Sequence, residues 1–268
     1  MIPHQLFVSA ARKHGFSPWI LRLSLAAYRL PRAIGVEGVY SRLIIASRGI
    51  TAGSGFAATE LRILLLDVID QTYQLFPSLE LSVYVDDITP YYSGYSPSAV
   101  VQRVARATDF LVDTLQKDYL LEVSTQKSFV LASSMKLAQR VAVASRSGKL
   151  TSKRSGKLLG TPIGGGRRRS VRTLHKRLHD FRGKAHRIQA LRRAGVRVAA
   201  IVRAAGTPAV TYGIECTGAS NSHLQALRGT IASAAAPEGG GKKPDVVLSA
   251  LDTDTPQRRQ PGHMAALC

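Results

Sequence analysis

Acidic residues are scarce in this chain, and their placement tells more than their number. Aspartate and glutamate total 17 against 37 lysines and arginines in 268 residues, a net charge of +20. No acidic residue precedes Glu37, and only Asp180 and Glu215 fall between residues 131 and 230. That stretch carries 21 basic residues, a balance of +19, whereas residues 1–130 hold 12 basic against 11 acidic. Cysteine is nearly missing: Cys216 and Cys268, far apart, exclude a disulfide framework and imply a reducing compartment, nucleus or cytoplasm. Long apolar runs are missing as well. The longest, Leu61 to Ile69, is interrupted by Arg62 and Asp67 and falls short of the roughly 20 residues a membrane span needs. No basic stretch followed by an apolar core opens the chain, so neither a secretory signal nor a membrane partner is expected.

What is present is a globular composition, 45% hydrophobic, over a length that buries a sizeable core. The basic excess in one segment marks a polyanion-binding surface, because neutralising phosphates releases condensed counterions. Ser17-Pro18 opens a helix, supported by Trp19, Ile20, Leu23, Leu25, Ala26 and Ala27 and ending before Pro31. Gly49 to Gly55 is a turn that feeds a buried helix from Phe56 to Phe76. Leu81 to Val85 is β-branched and aromatic and predicts a strand. A second extended run from Ile88 towards Tyr92 then puts Asp86 and Asp87 at a hairpin tip, with Pro90 tolerated only on an edge.

From Ser98 a helix runs to Tyr119, with Val101, Val104, Thr108, Leu111, Val112 and Leu115 on one face. Leu121 to Leu131 reads as extended and carries Lys127. Gly156 to Gly166 reads as a loop before the Arg167-Arg168-Arg169 run. Beyond it Val171, Leu174, Leu178, Phe181, Ala185, Ile188 and Leu191 recur at spacings of three and four, an amphipathic helix with a basic opposite face stopping near Gly195. Another helix covers Val196 to Ala205, and the composition after Ala235 predicts disorder.

Two adjacent carboxylates raise each other's pKa, and a divalent cation relieves the repulsion. Mg²⁺, with Mn²⁺ as an alternative, takes carboxylate oxygens together with substrate phosphates, as in two-metal nucleotidyl transfer. The plainer reading of Asp86-Asp87 is a turn, where aspartate is common. His175 and His179, with His186 further along, could share a metal or simply line a basic face. Gly164 to Gly166 could cradle a phosphate or serve as a flexible loop.

Tyr84-Val85-Asp86-Asp87 resembles the third palm motif of reverse transcriptases. Arg48 to Ser54 resembles the second motif, Gln126-Lys127 the fourth and Leu158-Leu159-Gly160 the fifth, the primer grip. Tyr212-Gly213-Ile214-Glu215 is similar to the thumb of the non-LTR retrotransposon class. The resemblance implies an α+β fold: a reverse-transcriptase palm, an antiparallel sheet with packed helices, followed by a helical basic thumb. It implies a partial palm over 1–135, palm end and thumb over 136–230, and a disordered tail over 231–268.

The implied activity is RNA-directed DNA polymerisation with an RNA template, a DNA primer and dNTPs. In it Asp86 and Asp87 hold Mg²⁺ and Lys127 is a general acid for pyrophosphate. Tyr84 would lie near the primer terminus, and Gly49, Gly53 and Gly160 would shape the template and primer turns. Arg167, Arg168, Arg169, Arg172, Lys176 and Arg177 would hold the primer–template backbone. Ala52-Gly53 and Ala57-Ala58 depart from the family's Gln-Gly and Ser-Pro. The Asp-bearing first palm motif has no counterpart before Glu37, so an N-terminally truncated copy, inactive alone, is expected. The alternative is a non-catalytic nucleic-acid-binding remnant of a retroelement.

Overall fold

Helices α1 (His4–Lys13) and α2 (Pro18–Tyr28) open the computed structural model, which describes residues 2–51, 53–166, 169–236 and 243–253. They close on Phe7, Ala11 and Leu21, with the chain reversing at Gly15 (φ 66°), a conformation that favours glycine. A short hairpin, β1 (Gly35–Val36) with β2 (Val39–Tyr40), precedes the long helix α3 (Ala57–Leu75). Helix α3 buries Ile63, Leu64, Leu65 and Val68, and its Asp67 accepts from Lys13 Nζ at 2.8 Å, with His14 Nε2 3.2 Å away.

Strands β3 (Glu80–Tyr84) and β4 (Asp87–Tyr91) pair antiparallel, and Pro90 sits where the sequence requires it, in a sheet with no inner strand. Helix α4 (Pro97–Lys117) starts at Ser96, whose hydroxyl accepts from Ala99 N at 3.4 Å, with Pro97 at the first helical position. Leu111 and Leu115 of α4 meet Leu65 and Val68 of α3, and Leu81, Val83 and Ile88 of the hairpin pack on that core. Strand β5 (Phe129–Val130), helix α5 (Met135–Ala144) and strand β6 (Thr151–Ser152) finish this part, β5 and β6 running parallel.

The chain divides into two compact units, Met1–Lys153 and Arg154–Cys268. The second begins with the antiparallel pair β7 (Ser155–Leu158) and β8 (Thr161–Gly164), then α6 (Arg172–Arg193) and α7 (Val198–Ile201). A π-helical turn, Val202–Gly206, leads into α8 (Thr207–Thr211), α9 (Ile214–Thr217), α10 (Asn221–Ala235) and α11 (Pro244–Thr253). Leu178, Phe181 and Ile188 of α6 build the core with Val202, Val210, Leu227, Ile231, Leu248 and Leu251. The wide π turn lets Gly206 approach the Phe181 ring, where a Cβ would stand 2.8 Å from Cε2.

The architecture is a mixture of helices and small sheets, broadly α+β. The antiparallel strands expected of a single sheet occur as separate hairpins, and among the described residues every sheet has two strands. Several sequence expectations change. Leu121 to Leu131 is extended only at Phe129–Val130, because Ser128 N bonds back to Ser124 O at 3.0 Å and closes a turn that holds Lys127. Gly156 to Gly166 is largely a hairpin rather than a loop. The expected disorder after Ala235 gives way over Pro244–Thr253 to α11, whose Leu248 and Leu251 join the core; 237–242 and 254–268 lie outside the described residues. No helix among the described residues is long and apolar enough to cross a membrane.

Candidate functional site

The β3–β4 hairpin closes on the pair Tyr84↔Asp87, leaving Val85 and Asp86 as a two-residue turn. Asp86 therefore sits in the turn and Asp87 opens β4, and both are exposed. Alternation along the strands sends Leu81, Val83 and Ile88 into the core, while Tyr84 and Asp87 share the solvent face. Val85 has φ 53°, the left-handed region that a β-branched residue seldom enters. A positive φ at the first turn residue alone is the pattern of a type II′ turn, where glycine usually stands. Holding valine there costs roughly 1–3 kcal/mol, and such strain gathers at functional sites.

Two exposed carboxylates with hard oxygens suit a cation that keeps water and takes phosphate oxygens besides protein ligands. Asp86 and Asp87 thus fit Mg²⁺ as part of its ligand set. Among the described residues no third His, Cys, Asp or Glu joins them in a cluster. Asp67 is held by Lys13 and His14.

The glycine-rich turn is built as the sequence predicts, with Gly49 at φ 95° and Gly53 at φ 87°. Ala52 lies outside the described residues. His4 and Tyr28, which the sequence reading passed over, touch this turn directly. His4 Nε2 meets Gly49 O at 2.9 Å while Nδ1 accepts from Arg29 Nε at 3.4 Å, which places the imidazole proton on Nε2. Tyr28 donates to Glu60 Oε2 at 2.5 Å and contacts Ser54 Oγ at 3.2 Å. Burial first, then the hydrogen bond to Glu60, pushes the Tyr28 phenol above its ordinary range. Glu60 is fully buried at the start of α3, and its Oε1 has no protein partner. An acid on the apolar face of a helix was the available signal.

Lys127 is exposed in its turn, not on a strand. In the second unit, Leu159 (φ 50°) and Gly160 (φ 79°) form the β7–β8 turn, two left-handed residues as a type I′ turn requires. Both of its carbonyls are taken. Arg177 Nη2 donates to Gly160 O at 2.6 Å and the Tyr212 hydroxyl to Leu159 O at 2.7 Å. Arg177 also donates to Tyr212 O and lies 5.1 Å over the Tyr212 ring. Its guanidinium therefore holds the turn.

Arg169, Arg172 and Lys176 are exposed, the last two on the outer face of α6. Arg167 and Arg168 lie outside the described residues. His175 does not join His179: it stacks on His223, while His179 lies 3.9 Å from Asp180. Compared with known proteins, the chain matches no family model, no curated protein and no solved structure.

Proposed function

We propose that the chain is a reverse-transcriptase-like domain for RNA-templated nucleotidyl transfer, its second unit binding the primer–template. The observation that carries this reading is the Tyr84–Asp87 hairpin. Two exposed carboxylates stand at a strained tip whose opposite face is anchored on α3 and α4. The glycine turn before α3 and the turn at Leu159-Gly160 follow the family's order along the chain. Asp86 and Asp87 would hold Mg²⁺, which would neutralise the triphosphate and help ionise the primer hydroxyl. Tyr84, on the same face as Asp87, would pack against a primer end. Lys127 is proposed as the proton donor to pyrophosphate.

The test is Mn²⁺ relaxation of solvent water with primer–template and dNTP present. Binding lost in Asp86→Asn and Asp87→Asn supports the reading, and binding unchanged in both sinks it. The basic second unit favours a second reading, a nucleic-acid-binding protein without catalysis. Arg169, Arg172 and Lys176 would hold the phosphate backbone without reading sequence. Duplex binding combined with no metal uptake at the hairpin would select it.

A further inference from the structure

Two histidines far from the hairpin in sequence are brought together by α6 and α10. His175, one turn into α6, and His223, in the first turn of α10, stack with centroids 5.2 Å apart and planes within 5°. His175 is exposed. His223 keeps 7% of its surface, and its buried Nε2 has no hydrogen-bond partner in the protein. The guanidinium of Arg169 lies beside Gly218, 3.3 Å from where a Cβ would stand. Gly218 (φ 66°) is two residues before Ser220, the N-cap of α10, whose hydroxyl accepts from His223 N at 3.3 Å.

Burial first lowers the pKa of His223, followed by its neighbours His175, Arg169 and Arg182. Arg182 reaches α10 from α6 through Thr230 Oγ1 at 3.2 Å. The junction gathers cations around an unpartnered imidazole nitrogen, at the positive end of a helix of 15 residues.

We propose that this junction is a phosphate site, in which Arg169, His175 and the amino end of α10 take a phosphate of a nucleic-acid backbone and the His175–His223 pair takes up a proton as it binds. The inference rests on the nucleic-acid half of the proposed function and names one of its contacts. The first-turn N–H groups that Ser220 leaves uncapped point towards the amino end, where anions are favoured. Arg169 adds a charged donor with forked geometry that matches phosphate oxygens. A buried polar nitrogen without a partner is unfavourable, and protonation turns it into a donor. The extra positive charge is tolerated only when an anion faces the cluster, so proton and phosphate favour each other.

The experiment uses the full chain and a short fluorescent duplex at constant ionic strength, from about pH 7.5 to about pH 5.5, where histidine titrates. Affinity is expected to rise by up to about tenfold per pH unit for one linked proton. His175→Gln and His223→Gln should each flatten that rise, while His186→Gln, about 16 Å further along α6, should leave it intact. His175 is exposed, so its variant guards against loss of fold in the other. A parallel NMR titration follows the imidazoles with duplex and with inorganic phosphate. Duplex binding with no pH dependence in the unmodified chain, or equal flattening by His186→Gln, overturns the site and leaves the nucleic-acid reading standing. If the duplex does not bind, that reading fails and the phosphate arm decides. Imidazoles that shift with inorganic phosphate support the site's chemistry, and imidazoles that do not shift refute it.

Discussion

Arg177 of α6 covers the ring of Tyr212, and the two side chains grip adjacent carbonyls of one turn, Gly160 O and Leu159 O. The turn is left-handed at both positions, so its geometry depends on being held as well as on glycine at 160. Glycine is needed there twice over, since a Cβ would stand 3.1 Å from Tyr212 Cε1. Replacing Arg177 with lysine keeps the charge but loses the planar fork that spans two carbonyls and stacks on the ring. Arg177→Lys should lower stability by about 1 kcal/mol, the scale of a hydrogen bond and an exposed cation–π contact. Equal thermal midpoints for the two proteins would show that the clamp is idle.

Gly206 tests the π turn. A methyl group at this position would stand 2.8 Å from Phe181 Cε2 and 3.1 Å from its Cζ, inside a core that includes Val202 and Val210. Phe181 is buried, so its ring has little room to yield. Gly206→Ala should cost about 1–3 kcal/mol by overpacking, although alanine is the better helix former. Denaturant midpoints measure it, and a variant as stable as the parent would mean the π turn relaxes freely.

Asp109 of α4 accepts from Ser145 Oγ at 2.6 Å, Arg146 N at 3.0 Å and Ser147 N at 3.1 Å, fastening the end of α5. Hydrogen bonds to a charged group are the stronger kind, and two of these satisfy backbone donors just beyond a helix end. Asp109→Ala should lower stability by about 2 kcal/mol. Hydrogen exchange at Arg146 and Ser147 should accelerate with it, and unchanged protection there would exclude the fastening role.

The long elements were legible because their packing is written in spacing. Leu111 and Leu115 of α4, and Leu174, Leu178, Phe181 and Ile188 of α6, occupy the apolar faces that the period predicts, whereas Val171 and Leu191, read on the same face, are exposed. Helix α1 was not legible, for it has proline as N-cap, no capping side chain and no acid in its first turn. The β7–β8 turn escaped because Leu159-Gly160 lacks the Asn-Gly or Asp-Gly signature of type I′. Asp86 and Asp87 could be placed from alternation alone. The Val85 strain, the His4–Gly49 contact and the His175–His223 stack could not, since each depends on residues that meet only in the folded chain.

Tyr28 gives the first unit a pH signature. Its phenol is raised in the folded state above the ordinary value of 10.0, by burial first and by Glu60 next. The folded state thus holds this proton more tightly than the unfolded chain. The associated stability is fully present below about pH 10 and is lost as pH rises through the folded value. Tyr28→Phe should remove that alkaline loss while losing the bonds to Glu60 and Ser54 at neutral pH. An identical alkaline unfolding profile in the variant would assign the loss to other groups.

The salt dependence of duplex binding tests the basic unit. If about six phosphates are neutralised, log K should fall with log salt at a slope near −5. Neutralising Arg167, Arg168 and Arg169 together should flatten that slope by up to about 3 if each meets a phosphate. Affinity should hardly vary with sequence, because backbone contacts position without specifying. A salt-independent affinity would remove the unit from any nucleic-acid role.

Activity of this chain by itself is the sharpest test, and the expected result is negative. Two-metal nucleotidyl transfer needs carboxylates that bridge both ions and hold them about 3.5–4 Å apart. Asp86 and Asp87 come from one hairpin, and Asp67 of α3 already accepts from Lys13. Among the described residues no third carboxylate joins them in a cluster, so a second ion would lack a bridging ligand, and a misplaced triphosphate loses the advantage of orientation as well. Primer extension by the 268-residue chain should therefore stay at background with Mg²⁺ or Mn²⁺, while duplex binding persists. Mg²⁺-dependent incorporation by the present chain, lost in Asp86→Asn, would contradict this and send the search for the third carboxylate to Asp70 and Glu37.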